Sequence, residues 1–121
     1  MTIDTQLATD VVERCLRRGA SAAEVIAREE TEFSVSVRLG EIDTLTEADS
    51  SALGLRVLVD GRQSSVSTSD YRAASIEALV DEALTLARVT SVDDSADLPD
   101  ASMMATELPD LELFDPAIAG L

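Results

Sequence analysis

The spacing of hydrophobic residues predicts an amphipathic helix at each end of a block of strands. In the first helix, apolar side chains recur every four positions, at Ile3, Leu7, Val11 and Cys15. Gly19 is its natural stop. The second helix is predicted over residues 71–89, and its apolar face is formed by Ile76, Leu79, Val80, Ala83, Leu84 and Ala87. Each helix therefore has one face that needs a sheet to pack against.

Alternation of apolar and polar residues predicts four strands between the helices. The first strand covers residues 22–39, where apolar side chains occupy every second position from Phe33 to Leu39, and a bulge is expected near residues 29–31. Gly40 marks a tight turn. A second, weaker strand is predicted over residues 42–47, and it should break at Ala48, Asp49 and Ser50.

The third and fourth strands form a hairpin around Asp60 and Gly61. A two-residue turn of this composition is typical of type I′, which needs a positive φ at both positions. If Gly61 has that conformation, replacing it with valine should cost about 1–2 kcal/mol. Asp70 follows the fourth strand, and its carboxylate is expected to cap the second helix.

These elements predict an α+β fold in the order helix, four strands, helix. Short links between strands imply a four-stranded, mainly antiparallel sheet with both helices on one face, while the other face needs a cover or meets water. Aromatic residues make up 2% of the chain, so the core should be aliphatic. Residues 1–90 are predicted to form this domain. Residues 91–121 read as an extended acidic C-terminal strap, a linker leading to an absent C-terminal region.

The charge balance disfavours several classes of partner. The chain has 24 acidic residues against nine arginines, no lysine and no histidine, which gives a net charge of −15. Nucleic acids and anionic membranes would be repelled. Neither a transmembrane run nor a signal peptide is recognisable, so a cytoplasmic location is predicted. The acidity is explained by a solvated surface or by a docking face for a basic partner.

Few side chains are candidates for chemistry, and no catalytic, cofactor-binding or metal-binding residue is predicted. Cys15 lies on the apolar face of a helix and reads as a small core residue. The acidic groups are Glu29, Glu30 and Glu32, which strand alternation separates, and Asp93, Asp94 and Asp97, which lack the turn glycine and terminal glutamate of a calcium loop. The hydroxyl-rich run over residues 64–69 has no base beside it.

Three stretches of the sequence resemble the N-terminal domain of the TldD/PmbA family, metallopeptidases once called modulators of DNA gyrase. They are Gly19-Ala20-Ser21-Ala22-Ala23-Glu24-Val25, Val35-Ser36-Val37-Arg38-Leu39-Gly40-Glu41-Ile42 and Gly54-Leu55-Arg56-Val57-Leu58-Val59-Asp60-Gly61-Arg62. The resemblance covers essentially the whole chain. Asp93, Leu98-Pro99 and residues 109–116 are more similar to the PmbA, or TldE, branch than to the TldD branch.

The resemblance implies a role in a metallopeptidase system without assigning catalysis to this chain. In the family, a zinc-binding His-Glu-x-x-x-His helix lies in a later region of the TldD-type subunit, and the PmbA-type subunit resembles its non-metallated partner. No cofactor is therefore expected in this fragment, although the parent complex can hold zinc. The implied partners are a TldD/PmbA-type subunit, in a homo- or hetero-oligomer, and unfolded peptide substrates. Whether the parent chain is itself the peptidase is left open.

Three hypotheses for function remain. The favoured one is a non-catalytic N-terminal domain that helps to assemble subunits and to admit unfolded peptide, which an exposed strand edge could receive by β-addition. The alternative is a stand-alone acidic protein-interaction module. An enzyme with carboxylate chemistry of its own is disfavoured, because the chain has no histidine and no convergent site.

Overall fold

A computed structural model describes residues 5–119 of the chain. Its main elements are α1 (Thr5–Arg17), β1 (Ala22–Arg38), β2 (Glu41–Val59), β3 (Arg62–Thr68) and α2 (Ala73–Val89). A 3-10 turn at Ala101–Met103 and a short helix α3 (Pro116–Ala119) follow. The strands form one antiparallel sheet in the order β1-β2-β3. The predicted α+β class is thus confirmed. Ile3, which was predicted to belong to the apolar face of the first helix, lies outside the described residues.

The first helix ends where the sequence predicts. Gly19 has φ +104°, a conformation that favours glycine. The Ala20 amide donates to the Cys15 carbonyl at 3.1 Å, and the Gly19 amide donates to the Leu16 carbonyl at 3.2 Å. This pair of bonds is a Schellman motif, which satisfies carbonyls that the helix leaves open and turns the chain into β1.

The sheet has three strands, so the prediction of four was wrong. Residues 41–59 form one continuous strand, in which Asp49 pairs with Thr31 and Ser50 pairs with Glu30. The predicted break at residues 48–50 is absent because β1 is long enough to pair with β2 through this region, and that pairing outweighs the weak strand preference of Ala-Asp-Ser. The bulge is also displaced, since the register shifts between Ser36 and Val37.

Both hairpin turns contain two residues with positive φ. Asp60 and Gly61 have φ values of 50° and 78°, which confirms the predicted turn. Leu39 and Gly40 have φ values of 53° and 81°. The turn between β1 and β2 therefore places Leu39 in a conformation that residues other than glycine, asparagine and aspartate rarely adopt.

The core lies between one face of the sheet and the two helices. The sheet contributes Leu53, Leu55 and Val57, and α1 contributes Val11 and Cys15. All six predicted apolar positions of α2 are at most 4% exposed: Ile76, Leu79, Val80, Ala83, Leu84 and Ala87. The face of the sheet that carries Leu53, Leu55 and Val57 is called the helix-side face, and the opposite face is called the outer face. The core side chains are aliphatic apart from Cys15, as the composition predicts.

Asp70 does not cap α2 in the predicted way. The helix begins at Ala73 with Arg72 as its N-cap, and Arg72 makes no side-chain capping bond. The Asp70 carboxylate instead accepts the Arg72 amide at 3.0 Å and the Ser75 hydroxyl at 2.7 Å. Tyr71 and Arg72 lie between Asp70 and the helix, and the Tyr71 hydroxyl donates to the Ala52 carbonyl of the sheet at 2.9 Å.

The segment after α2 returns to the sheet before it becomes exposed. The Asp93 amide donates to the Gly61 carbonyl at 2.8 Å. Further along, Leu98 and Pro99 line a cavity of 620 Å³ together with Glu24, Arg56 and Val12 of α1. This places the segment beside the hairpin end of the outer face, where Leu58 is 4% exposed. The domain boundary at residue 90 and the strap role of residues 91–121 stay predictions.

Candidate docking surfaces

The residues that the sequence singled out for chemistry do not converge. Within residues 5–119, no three side chains of His, Cys, Asp or Glu form a group that could hold a metal ion. In the same range, no helix is long and apolar enough to cross a membrane. A catalytic zinc ion needs about three nitrogen, sulfur or oxygen ligands around an open position. The residues described here do not fit such a metal.

Cys15 belongs to α1, and its side chain is fully buried in the core. Burial raises the pKa of its thiol, and the positive charges of Arg18 and Arg14 only partly oppose that effect. The sulfur is therefore a neutral thiol at ordinary pH, and the thiolate is the form that attacks electrophiles. Its place in the structure matches the predicted role as a core residue.

The candidate carboxylates and hydroxyls are used locally. Asp93 accepts the Ser95 amide at 2.9 Å and Asp97 accepts the Leu98 amide at 2.8 Å, so both carboxylates bond the neighbouring backbone. The Ser64 hydroxyl donates to the Ala83 carbonyl at 2.6 Å, which joins β3 to α2. These contacts account for side chains that would otherwise suggest a site.

Within residues 5–119, no strand pairs with the outer edge of β3, which is the last strand of the sheet. In a two-residue hairpin the residues that flank the turn, Val59 and Arg62, are a hydrogen-bonded pair, and the pairing direction then alternates along the strand. The backbone groups of Gln63, Ser65 and Ser67 consequently point away from β2. An extended peptide could pair with this edge through its main chain.

A groove of 360 Å³ lies on the outer face beside that edge. Its lining residues are Glu24, Ile26, Gly54, Leu55, Arg56, Ser65, Val66 and Ser67. Gly54 opens the middle of the groove, because a Cβ atom there would have only the Ile26 carbonyl within 4 Å, at 3.8 Å. One wall is Arg56, which donates to Glu24 at 2.7 Å and to Gln63 at 3.3 Å. The groove is therefore apolar at its floor and charge-balanced at its wall.

The second surface is a two-stranded arm, which we define as residues 30–50 of β1, β2 and their turn. Every residue of the arm is exposed. Strand alternation and the register place five apolar side chains on its helix-side face: Phe33, Val35, Val37, Ile42 and Leu45. The outer face of the arm carries Ser34, Ser36, Thr44 and Thr46.

The arm exists because β1 and β2 are longer than the helices that pack on the sheet. A strand of 17 residues such as β1 spans about 56 Å, whereas a helix of 17 residues such as α2 spans about 26 Å. β3 adds to the sheet only up to Leu53. The alternation was visible in the sequence, but the position of the arm beyond both helices was not. Near the root of the arm, Phe33 and Glu47 line a cavity of 610 Å³ together with Leu113, Phe114 and Ile118 of the C-terminal segment. The signal that could have revealed it is the excess length of the alternating run over either helix.

Comparison with known proteins gives consistent matches. A family model described as PmbA/TldA metallopeptidase domain 1 matches residues 23–87. The metalloprotease PmbA homologue of Haemophilus influenzae is 38% identical over 112 residues, which are 93% of this chain and 25% of the relative. Metalloprotease PmbA of Escherichia coli O157:H7 is 38% identical over 98 residues, which are 81% of this chain and 22% of the relative. The chain thus spans about a quarter of the length of these curated relatives.

Solved structures share the fold. The crystal structure of a candidate modulator of DNA gyrase from Bacteroides thetaiotaomicron superposes with a TM-score of 0.89 at 28% identity, over 100% of this chain and 28% of that chain. TldE from Thermococcus kodakarensis superposes with a TM-score of 0.68 over 93% of this chain and 26% of that chain. At 18% identity, the second match shows the fold alone.

Proposed function

The chain belongs to the PmbA/TldD metallopeptidase family, and we propose that it is the non-catalytic N-terminal domain of a TldD/PmbA-type metalloprotease system. In this role it contributes to the assembly of subunits and to the access of unfolded peptides. The observation that carries the proposal is the open edge of β3 beside the Gly54 groove. We place this activity in the cytoplasm, as predicted from the sequence.

The edge of β3 suits a substrate that has lost its own structure. Main-chain hydrogen bonds to Gln63, Ser65 and Ser67 require an extended backbone and no particular side chain. The neighbouring hydroxyls keep the edge polar, which limits unwanted pairing between copies of the domain. An unfolded segment held this way would be extended, which is the form that a peptidase cleft accepts.

Zinc chemistry belongs elsewhere in the proposed system. Residues 5–119 contain no imidazole and one buried thiol, and their carboxylates do not gather in a group of three, so they do not offer the ligands of a catalytic zinc ion. Any zinc would be held by another region or by a partner subunit. The contribution of this domain is to bind and orient.

Titration of the labelled 121-residue chain with an unstructured peptide tests the proposal. We expect amide chemical-shift changes at Gln63, Ser65 and Ser67, with smaller changes at Ser64. Ser65→Pro should abolish them, because proline removes an outward N–H without taking a bond from the β2–β3 ladder. Ser65→Ala is the matched control and should bind like the wild type. An unchanged spectrum on titration would overturn peptide docking at this edge.

The alternative function is a stand-alone acidic interaction module. The observation in its favour is the charge of the arm, whose residues 30–50 contain six carboxylates and one arginine. Such a module should bind an arginine-rich unstructured peptide with an affinity that falls steeply as salt is added. If this chain binds a TldD/PmbA-type subunit and that binding persists in high salt, the first proposal is favoured.

A further inference from the structure

We propose that residues 113–118 of this chain dock against Phe33 at the root of the arm, and that carboxylates on both sides of the intervening cavity control this docking. A docked segment covers part of the free edge of β1, which could otherwise pair with strands of other molecules. The inference is independent of peptide docking at β3, which forms the opposite edge of the sheet.

The segment after α2 follows β1 from the hairpin end of the sheet to the arm. Residues between 98 and 104 line the cavity of 620 Å³ together with residues 23–25 of β1. Residues between 113 and 118 line the cavity of 610 Å³ together with residues 30–33 of the same strand. The segment and β1 therefore run in the same direction, and the path of the chain brings residues 113–118 to the root of the arm.

The cavity at the root of the arm lies along the free edge of β1. Four successive residues of that strand line it: Glu30, Thr31, Glu32 and Phe33. Because successive residues of a strand point to opposite faces, a cavity that borders on all four follows the edge of the strand. Glu47, which is paired with Phe33, also lines the cavity, so the space reaches onto the helix-side face.

Apolar side chains lie on both sides of this cavity without filling it. Phe33 is 45% exposed on the arm. On the segment, the exposed fractions are between 65% and 85% for Leu113, Phe114 and Ile118. Contact between the two sides removes this apolar surface from water, and aromatic rings contribute strongly to such contacts. The groups that closure would bury are thus already next to the same space.

Local hydrogen bonds shape the segment before it docks. The Asp110 carboxylate accepts the Glu112 amide at 2.8 Å, and Glu112 has φ 54°. The Asp115 carboxylate accepts the Ala117 amide at 2.9 Å at the start of α3. These bonds lie on either side of residues 113–114. Docking therefore costs less ordering of the backbone than it would for a segment without such bonds.

The charges around the cavity oppose closure. Among the described residues that line it, none is basic and four are acidic: Glu30, Glu32, Glu47 and Asp115. Asp115 belongs to the segment and the other three belong to the arm. Like charges that are brought together repel each other, and salt screens this repulsion. We therefore expect the segment to stand off the arm at low salt and to dock as salt is added.

Phe114→Trp provides a reporter of docking. The chain has no tryptophan, so this substitution introduces a single indole on the segment. Between about 0.01 M and about 1 M salt, the Debye length falls from about 30 Å to about 3 Å. Over this range we expect the emission to shift to shorter wavelength and acrylamide quenching to fall by about twofold, because the indole leaves water.

Two matched pairs of further substitutions in the Phe114→Trp chain test the contact and the charge. Phe33→Thr should remove the salt-dependent shift, whereas Ser34→Thr, on the outer face, should keep it. Glu47→Gln should move docking to lower salt, whereas Glu41→Gln, which removes the same charge at the tip, should have a smaller effect. All four of these positions are exposed, so the thermal midpoints should be preserved.

Each other outcome overturns a stated part of the proposal. Emission typical of an exposed indole at every salt concentration would overturn docking, and a shift that survives Phe33→Thr would overturn the choice of the arm root. A shift that grows with protein concentration would assign the arm to a second copy of the chain. Equal effects of Glu47→Gln and Glu41→Gln would overturn control by the cavity carboxylates. None of these results changes the amide shifts expected at the edge of β3, so the proposed function is tested separately.

Discussion

The Tyr71 hydroxyl donates a 2.9 Å hydrogen bond to the carbonyl of Ala52, and so ties the start of α2 to β2 at the root of the arm. The Arg28 carbonyl, on the residue paired with Ala52, lies 3.4 Å from the same hydroxyl. The side chain also packs against the core. Tyr71 therefore fixes the point at which the supported sheet passes into the unsupported ribbon.

Tyr71→Phe should lower the free energy of unfolding by about 0.5–1.5 kcal/mol, because it removes the hydroxyl and keeps the ring. Chemical denaturation measures this change. Tyr71→Ala is expected to cost more, since it also removes packing against the core. Equal stabilities of the wild type and Tyr71→Phe would mean that water replaces the bond without loss.

Gly61→Ala should destabilise the domain by about 1–2 kcal/mol, because the residue has φ 78° and a left-handed conformation is unfavourable for alanine. The new Cβ atom would also lie 3.2 Å from the Val92 side chain. Thermal or chemical denaturation measures the loss, and the valine substitution considered from sequence should cost at least as much.

Gly54→Ala is the matched control for that substitution. Gly54 lies within β2, has no positive φ and would place its Cβ atom 3.8 Å from the Ile26 carbonyl, which is an ordinary contact. Alanine should therefore be neutral or stabilising at this position. A loss of stability at Gly54 as large as that at Gly61 would contradict the conformational explanation.

Local signals in the sequence were sufficient for much of the fold. The apolar period of α2 identified its six buried residues, and the Asp60-Gly61 dipeptide identified a type I′ turn. Both depend on a few neighbouring residues and on backbone geometry that tertiary contacts do not override.

The errors arose where distant residues decide the local structure. Residues 48–50 of β2 have weak strand preference, yet they pair with residues 30–32 of β1, which no local pattern can indicate. Asp70 accepts the Arg72 amide and the Ser75 hydroxyl from a position two residues before the helix N-cap, and Tyr71, which follows Asp70, bonds the distant Ala52 carbonyl. The docking surfaces were only partly predictable for the same reason. A polar last strand was recognised, whereas the extension of the arm beyond the helices depends on where the helices end.

Asp70→Asn should destabilise the domain in a manner that depends on pH. Hydrogen bonds from the Arg72 side chain and amide and from the Ser75 hydroxyl hold the pKa of Asp70 well below its usual range. Because the pKa is lower in the folded state, ionised Asp70 contributes stability above its unfolded pKa of about 3.9, and this contribution is lost as the pH falls towards the folded value.

Thermal melts of the wild type and Asp70→Asn across the acid range measure that dependence. The difference in stability should be largest near neutral pH and should shrink as the pH falls below about 4. Added salt should reduce it, because Asp70 and Arg72 interact at the surface. A difference that is constant with pH would show that the charge of Asp70 does not contribute.

Leu39→Asn should stabilise the tip of the arm. Asparagine tolerates the positive φ at this position far better than leucine, and Asn-Gly is a favoured type I′ dipeptide. Amide hydrogen exchange across residues 36–43 should therefore slow in the free domain. Leu39→Val, a β-branched residue in the same conformation, should accelerate exchange there. If both substitutions leave exchange unchanged, the tip does not hold the left-handed conformation in solution.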